Sequence, residues 1–223
     1  MKIINKIYST SIDFGSVKMK DELIIFGKAL ADRGLVWGHS GNISARVNAD
    51  TFLVTAGGAD LSFLMDDDVI SCSIGSDGYE GLRTPSREAG LHRNIYCNCD
   101  DASVVIHSQP FYCTLVACSD VEIKTDLLPE AMAYLGQVAR VPYYHAGSVE
   151  LADAVAVKAS DSSVLLLANH GVVCWGKTLG EALIATETLE LLCRMIVISR
   201  AGDIEMNYLG NAVMSDFVNR LKD

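Results

Sequence analysis

Two histidines stand at the ends of apolar runs, where they could bind a metal ion. His107 follows residues 104–106, whose β-branched side chains are typical of a buried strand. His170 follows a second apolar run, residues 164–168, and Gly171 allows a sharp turn or a close approach to a ligand. The sequence therefore predicts two imidazoles delivered to the ends of two strands.

Glu88 supplies a carboxylate that could complete this set. Residues 84–88 have the pattern of a helix cap, a first-turn proline and an acidic residue inside the opening turn of a helix. Glu88 and His92, four positions apart, would then share one helical face. Two histidines and one carboxylate with an open position suit Zn²⁺ acting as a Lewis acid. We therefore predict that Glu88, His107 and His170 hold one divalent cation.

Composition limits the class of protein. A chain of 223 residues that is 50% hydrophobic can bury a sizeable core, and we expect a single domain over residues 1–223. The excess of 28 acidic over 18 basic residues gives a net charge of −10, which disfavours nucleic acid and anionic membranes as partners. Seven cysteines without a disulfide framework favour reduced thiols and a cytoplasmic location. We expect neither a signal peptide nor a membrane span.

The order of secondary structure predicts the fold. Apolar stripes and turn signals indicate a hairpin over residues 43–54, a strand over 138–144, and helices over 148–159 and 178–201. Strands and helices mix without regular βαβ alternation, so we expect an α/β fold, a three-layer α/β/α sandwich around a central, mainly antiparallel sheet. Residues before about 20 have no clear period and carry no assignment. The aspartates at 66–68 are expected to form a solvated turn or a helix cap.

These features, together with Gly-Asn-Ile-Ser at residues 41–44, resemble the class II aldolase/adducin family. The resemblance runs from about Lys20 to Ala201, and the motifs stand in the family's order. It implies the same α/β/α architecture and a homotetramer with active sites between subunits. It also implies a small-molecule substrate, either a sugar phosphate or a related sugar acid.

The resemblance also assigns catalytic roles. Glu88 matches the family's base beside the metal, which moves a proton during carbon–carbon cleavage. Tyr143 matches the proton donor that the neighbouring subunit contributes in the aldolase, and Tyr144 is the second choice. Without the resemblance, a tyrosine beside Pro142 would usually be a packing residue. The cleavage chemistry requires negative charge next to a carbonyl, which a divalent cation can stabilise.

Four positions match the family's phosphate-binding residues: Asn42, Gly57, Gly58 and Ser86. Short hydroxyl and amide side chains suit an anion because they donate hydrogen bonds without bulk. The paired glycines leave backbone N–H groups that could face an anion as a nest does. Each of the four could equally be part of a plain turn or cap.

This chain departs from the family pattern at two positions. Gln109 replaces the second histidine of His-x-His, so the predicted metal ligands are His107, Gln109 and His170 with Glu88. Because an amide oxygen is a poorer zinc ligand than an imidazole, Zn²⁺ affinity should fall or the preference shift toward Mn²⁺, Co²⁺ or Mg²⁺. Arg87 replaces a phosphate-binding serine, and it could bind a phosphate or a carboxylate or select a different substrate.

The sequence leaves several activities open. An aldolase that cleaves a sugar phosphate or a related sugar acid is the first choice. Epimerase, decarboxylase and dehydratase activities of the same family begin with the same charge stabilisation. The rival from another class is a non-catalytic, adducin-like relative, which Gln109 favours and the retained Glu88, His107, Tyr143 and His170 oppose. His39 and His92 could support the site from behind or be purely structural.

Overall fold

The structure is a computed structural model, and it describes residues 16–220. Eight strands are present in this range, and all belong to one sheet. Their bounds are β1 Asn42–Arg46, β2 Thr51–Thr55, β3 Val69–Ser73, β4 Tyr79–Glu80, β5 Val104–Ser108, β6 Val138–Val141, β7 Val164–Leu167 and β8 Gly171–Gly176.

Helices join and cover these strands. Their bounds are α1 Ser16–Asp32, α2 Ala89–Asn98, α3 Phe111–Ala117, α4 Pro129–Tyr134, α5 Val149–Ala159, α6 Leu179–Ala201 and α7 Asn211–Arg220, with short 3₁₀ turns at Leu61–Phe63 and Asp66–Asp68. Ser148 caps α5 by accepting from the Leu151 amide, and Thr178 caps α6 by accepting from the Glu181 amide. Both helices therefore begin where the sequence predicts.

The strands lie in the order β4-β3-β2-β1-β5-β8-β7-β6. Every neighbouring pair is antiparallel except β6 and β7, which are parallel. The predicted mainly antiparallel sheet is therefore confirmed. One row of the sheet pairs Asn42 with His107 and His107 with Val173. Two predicted site residues, Asn42 and His107, therefore lie side by side on central strands of the sheet.

Helices cover both faces of the sheet, so the predicted α/β/α sandwich is also confirmed. Helices α2 and α5 pack on each other on one face, where Leu165, Leu167 and Val173 point. Helices α3, α4 and α6 pack on the opposite face against Val172 and Cys174. The change of face at each successive residue of β7 and β8 follows from the two-residue period of a strand. Within residues 16–220 no helix combines the length and the apolar character needed to cross a membrane.

The predicted helix start at residues 84–88 is wrong. Helix α2 begins at Ala89, and the preceding segment pairs with the end of β2 instead. The Gly57 amide donates to the Thr84 carbonyl and the Ser86 amide to the Thr55 carbonyl, so the backbone of this segment is extended. Tertiary pairing therefore overrides the local helix signal, and Glu88 stands just before the helix rather than inside its first turn.

Two further expectations are corrected. Strand β6 ends at Val141 because Pro142 has no N–H to continue the ladder, so Tyr143 and Tyr144 lie in the following loop. Asp68 caps its 3₁₀ turn as expected, but it is buried and paired with Arg83 rather than solvated.

The turn between β7 and β8 depends on Gly171. An added Cβ there would lie 2.5 Å from the Ser108 carbonyl oxygen, a backbone atom that cannot move aside easily. We expect Gly171→Ala to lower the free energy of unfolding by about 1–3 kcal/mol through overpacking. Gly90→Ala is the matched control, because its Cβ would meet nothing nearer than the Ala152 Cβ at 4.0 Å. Urea unfolding of both variants measures the difference, and equal stability of the two would contradict it.

Candidate metal centre

Glu88, His107 and His170 meet in one cluster although they come from three separate segments. Glu88 Oε2 lies 3.1 Å from His107 Nε2, and Glu88 Oε1 lies 3.3 Å from His170 Nε2. One ligand atom of each residue lies within 4.8 Å of the other two. Ligand atoms around a tetrahedral Zn²⁺ are separated by about 3.3 Å, given bonds of about 2.0–2.1 Å. The cluster therefore has the dimensions of a metal site.

The hydrogen bond behind His107 fixes which nitrogen faces the cluster. His107 Nδ1 lies 2.9 Å from the Val172 carbonyl oxygen, which can only accept, so Nδ1 carries a proton. In the neutral ring Nε2 then presents its lone pair to Glu88 and His170. A backbone carbonyl that orients a histidine in this way is typical of metal ligands.

Several buried polar atoms in the cluster have no hydrogen-bond partner within the described residues. They are Glu88 Oε1, Gln109 Oε1 and His170 Nδ1. Leaving such atoms unpaired costs free energy, so native structures usually satisfy them with protein groups, water or a ligand. The donor set of imidazole, carboxylate and amide therefore fits a divalent cation.

The charges of the cluster are coupled. Burial raises the pKa of Glu88. The electrostatic attraction of His107 and the hydrogen bonds with His107 and Asn42 outweigh the effect of burial, so the pKa of Glu88 lies well below its usual range. Burial lowers the pKa of His107, yet the Glu88 charge and the hydrogen bonds of the ring raise it overall. Burial and the neighbouring His107 lower the pKa of His170. The pKa of His107 therefore lies above that of His170, and a cation bound at His107 Nε2 would compete with a proton for the same lone pair.

Gln109 stands beside the cluster where the family pattern has histidine. Its Nε2 lies 2.9 Å from His107 Nε2. The amide group therefore lies close enough to bind a cation held by His107, and its nitrogen contacts His107 rather than Glu88.

A cavity of about 640 Å³ opens next to the cluster. It brings together all the residues for which the sequence predicts substrate binding, and it includes Glu88 and Gln109. Its predicted members are Asn42, Gly57, Gly58, Ser86 and Arg87.

Hydrogen-bond donors and one cation line this cavity. The Gly57 amide is used by the Thr84 carbonyl, whereas the Gly58 amide donates to no backbone carbonyl in the described residues. Gly58 also has a φ of +69°, which favours glycine at this turn. Arg87 is exposed and forms no ion pair with any group in residues 16–220. The cavity can therefore offer a charge and a backbone donor to an anion.

Tyr143 does not line the cavity of its own chain. Its side chain is 55% exposed, and its hydroxyl lies 3.2 Å from His145 Nδ1. The predicted role of Tyr143 in a neighbouring subunit's site therefore stays a prediction.

Sequence patterns missed the residues that hold the cavity in shape. Arg83 donates to the Gly57 carbonyl oxygen and pairs with the buried Asp68, so it ties the glycine turn to the 3₁₀ turn. At Gly41 an added Cβ would lie 2.9 Å from the His107 carbonyl oxygen, so only glycine allows this approach. Arg83 is a single arginine in a loop, and nothing in the sequence around it marks its role. Gly41 does have a sequence signal, because a glycine within the Gly-Asn motif indicates close packing.

Comparison with known proteins agrees with this geometry. The family described as Class II Aldolase and Adducin N-terminal domain matches residues 21–197. L-fuculose phosphate aldolase from Methanocaldococcus jannaschii is 34% identical over 180 residues, which are 81% of this chain and 96% of the relative. The 3-oxo-tetronate 4-phosphate decarboxylase of Pectobacterium atrosepticum is 31% identical over 196 residues, 86% of this chain and 88% of the relative.

A solved structure has the same fold. YgbL from Klebsiella pneumoniae, provisionally described as an aldolase, epimerase or decarboxylase, superposes with a TM-score of 0.85 at 28% identity over 92% of this chain and 99% of its own. The chain therefore belongs to the class II aldolase and adducin family. The family and these relatives indicate an enzyme of carbohydrate metabolism, and its members typically use a divalent metal.

The amide at position 109 makes a test of metal affinity possible. Gln109→His places an imidazole beside His107 and should tighten Zn²⁺ binding about tenfold or more, because imidazole is the better zinc ligand. Isothermal titration of metal-free protein with Zn²⁺ measures the change. Gln137→His, on an exposed residue, is the matched control and should leave the affinity as it is. Equal affinities of the two variants would show that position 109 does not reach the metal.

Proposed function

We propose that this protein is a metal-dependent aldehyde-lyase that cleaves a sugar phosphate or a related sugar acid into two fragments. We further propose Zn²⁺ as the metal, with Mn²⁺, Co²⁺ or Mg²⁺ as alternatives because of Gln109. The proposal includes a single-domain chain, a cytoplasmic location and a homotetramer with active sites between subunits. All seven cysteines lie in the described range and are free thiols, which supports the proposed compartment.

One observation carries the proposal: a buried carboxylate lies between two imidazoles and beside a cavity that contains hydrogen-bond donors and an exposed arginine. A cation at this cluster, when bound, supplies positive charge for the substrate oxygens during cleavage. A non-catalytic scaffold has no need to bury Glu88 with His107 and His170, because such burial costs free energy.

The residues of the chain have separate roles in the proposed reaction. Glu88 lines the cavity, and its Oε1 has no hydrogen-bond partner in the described residues, so it can accept and return a substrate proton. Gly58, Ser86 and Arg87 also line the cavity and bind the anionic end of the substrate. The side chain of Asn42 contacts Glu88 and can also reach the substrate.

A second candidate is decarboxylation of a phosphorylated sugar acid. The Pectobacterium atrosepticum relative has the name of such an enzyme, and Arg87 offers a guanidinium suited to a carboxylate. Assays with L-fuculose 1-phosphate and with 3-oxo-tetronate 4-phosphate separate the candidates. Aldehyde release from L-fuculose 1-phosphate supports the aldolase proposal. Carbon dioxide release from 3-oxo-tetronate 4-phosphate, with no aldehyde release from the other substrate, supports the decarboxylase instead.

The metal requirement is tested with His170→Ala. This variant should lose both the divalent metal and turnover while it stays folded, because His170 is only partly buried and is not part of the hydrophobic core. Metal analysis of protein purified without chelator and circular dichroism provide the readouts. Less than about 0.1 equivalent of divalent metal in the unmodified protein, with no uptake on titration, would contradict the proposal.

The proton donor is tested with Tyr143→Phe. The variant should keep its metal and lose kcat by about 10²-fold or more, because a positioned acid contributes about 10²–10⁴-fold. Tyr144→Phe is the matched comparison, since Tyr144 is half-buried and packs against the core. Steady-state kinetics decide between them. Full activity of Tyr143→Phe would remove the assignment, and a loss only in Tyr144→Phe would transfer it to the neighbouring tyrosine.

A further inference from the structure

A chain of buried hydrogen bonds leads from Glu88 into the sheet. Asn42 Nδ2 donates to Glu88 Oε2 over 2.9 Å, and His92 Nε2 lies 2.5 Å from Asn42 Oδ1. On the other side of the imidazole, His92 Nδ1 lies 2.6 Å from Ser44 Oγ, which lies 2.6 Å from the Tyr96 hydroxyl. All five residues are buried, so water does not compete with these contacts.

The donor and acceptor chemistry gives this chain one direction. A carboxylate only accepts, so Asn42 turns its NH₂ group to Glu88 and its oxygen to His92. Because that oxygen also only accepts, His92 Nε2 carries the proton. Burial lowers the pKa of His92 to about 3, so the ring is neutral and Nδ1 accepts from Ser44. The Ser44 hydroxyl has one hydrogen, so its oxygen accepts from Tyr96.

The same chain of contacts joins two elements of the site. Asn42 and Ser44 lie on β1, whereas His92 and Tyr96 lie on α2, one helical turn apart. Asn42 is paired in the sheet with the metal-ligand candidate His107. The orientation of Glu88 is therefore set from the strand that neighbours the histidine ligand.

We propose that His92 is a positioning residue for Glu88. The Nε2 proton of His92 holds the Asn42 amide in one orientation, and Asn42 in turn occupies Glu88 Oε2. Glu88 Oε1, which has no hydrogen-bond partner in the described part of the chain, then faces the cation and the substrate. The inference rests on the proposed function, because it takes Glu88 Oε1 to be the atom that accepts the substrate proton in the proposed cleavage.

The donor-to-acceptor direction of this series of hydrogen bonds can be measured without a substrate. We expect long-range ¹H–¹⁵N correlation spectra of the full-length, ¹⁵N-labelled protein to show a neutral His92 with its proton on Nε2, both with and without Zn²⁺. A proton on Nδ1 would mean that His92 does not donate to Asn42, and the inference would be wrong. This result is independent of whether the protein is an aldolase.

Two substitutions separate positioning from space filling. The amide nitrogen of His92→Gln can reach the place of Nε2 and donate to Asn42, whereas His92→Asn reaches only the place of Nδ1 and keeps only the contact with Ser44. We expect His92→Asn to weaken Co²⁺ binding about tenfold or more, as the loss of a supporting contact does, and to lower kcat more than it changes KM. His92→Gln should recover most of both.

The controls make each outcome decisive. Co²⁺ binding is followed by visible absorbance, and Thr186→Val, which removes a buried hydrogen bond on the opposite face of the sheet, should lose stability without a change in Co²⁺ affinity. Equal losses in His92→Asn and His92→Gln would reduce His92 to a structural role and overturn the inference. Unmodified protein that binds no Co²⁺ would contradict the proposed function instead, and the proton position on His92 would then decide the inference alone.

Discussion

The burial of one carboxylate between two imidazoles is the constraint on which the site depends. A carboxylate that leaves water loses several kcal/mol of hydration, so it must be compensated by nearby positive charge and hydrogen bonds. Glu88 receives such compensation from His107, His170 and the Asn42 amide. The surrounding fold can be understood as the means of bringing these groups to one place.

The sheet performs this task through its register. Residues 42, 107 and 173 are partners across three adjacent strands, so Asn42 and His107 must stand side by side. The carbonyl of Val172, one residue from that row, holds the proton of His107 Nδ1. The tight turn before β8 then brings His170 to the same edge. A shift of register by one residue would turn Asn42 and His107 to the opposite face.

The sequence predicted the parts of the site that have local signals. Apolar runs that end in His107 and His170 identified the strands, and capping residues such as Thr178 identified helix starts, so the sandwich and the metal-binding candidates could be named in advance. The segment at 84–88 could not, because its pairing partner is some thirty residues earlier in the chain and carries no local mark. His92 gave a helical-spacing signal, but only the structure shows its link through Asn42.

Gln109 is a departure from the family pattern that bears on the role of Glu88. With Gln109 in place of a histidine, a bound cation would depend more strongly on Glu88 than in a site with three histidines, so we expect the orientation of that carboxylate to matter more. The relatives named as an aldolase and as a decarboxylase both match most of this chain, so the fold alone does not distinguish the two activities.

The most direct test is an anomalous difference map at the zinc edge from crystals of this protein grown with Zn²⁺. We expect one strong peak about 2.0–2.2 Å from Nε2 of His107 and Nε2 of His170, with a Glu88 oxygen or the Gln109 amide oxygen beside it. Strong peaks only at other positions, with none between the two imidazoles, would contradict it.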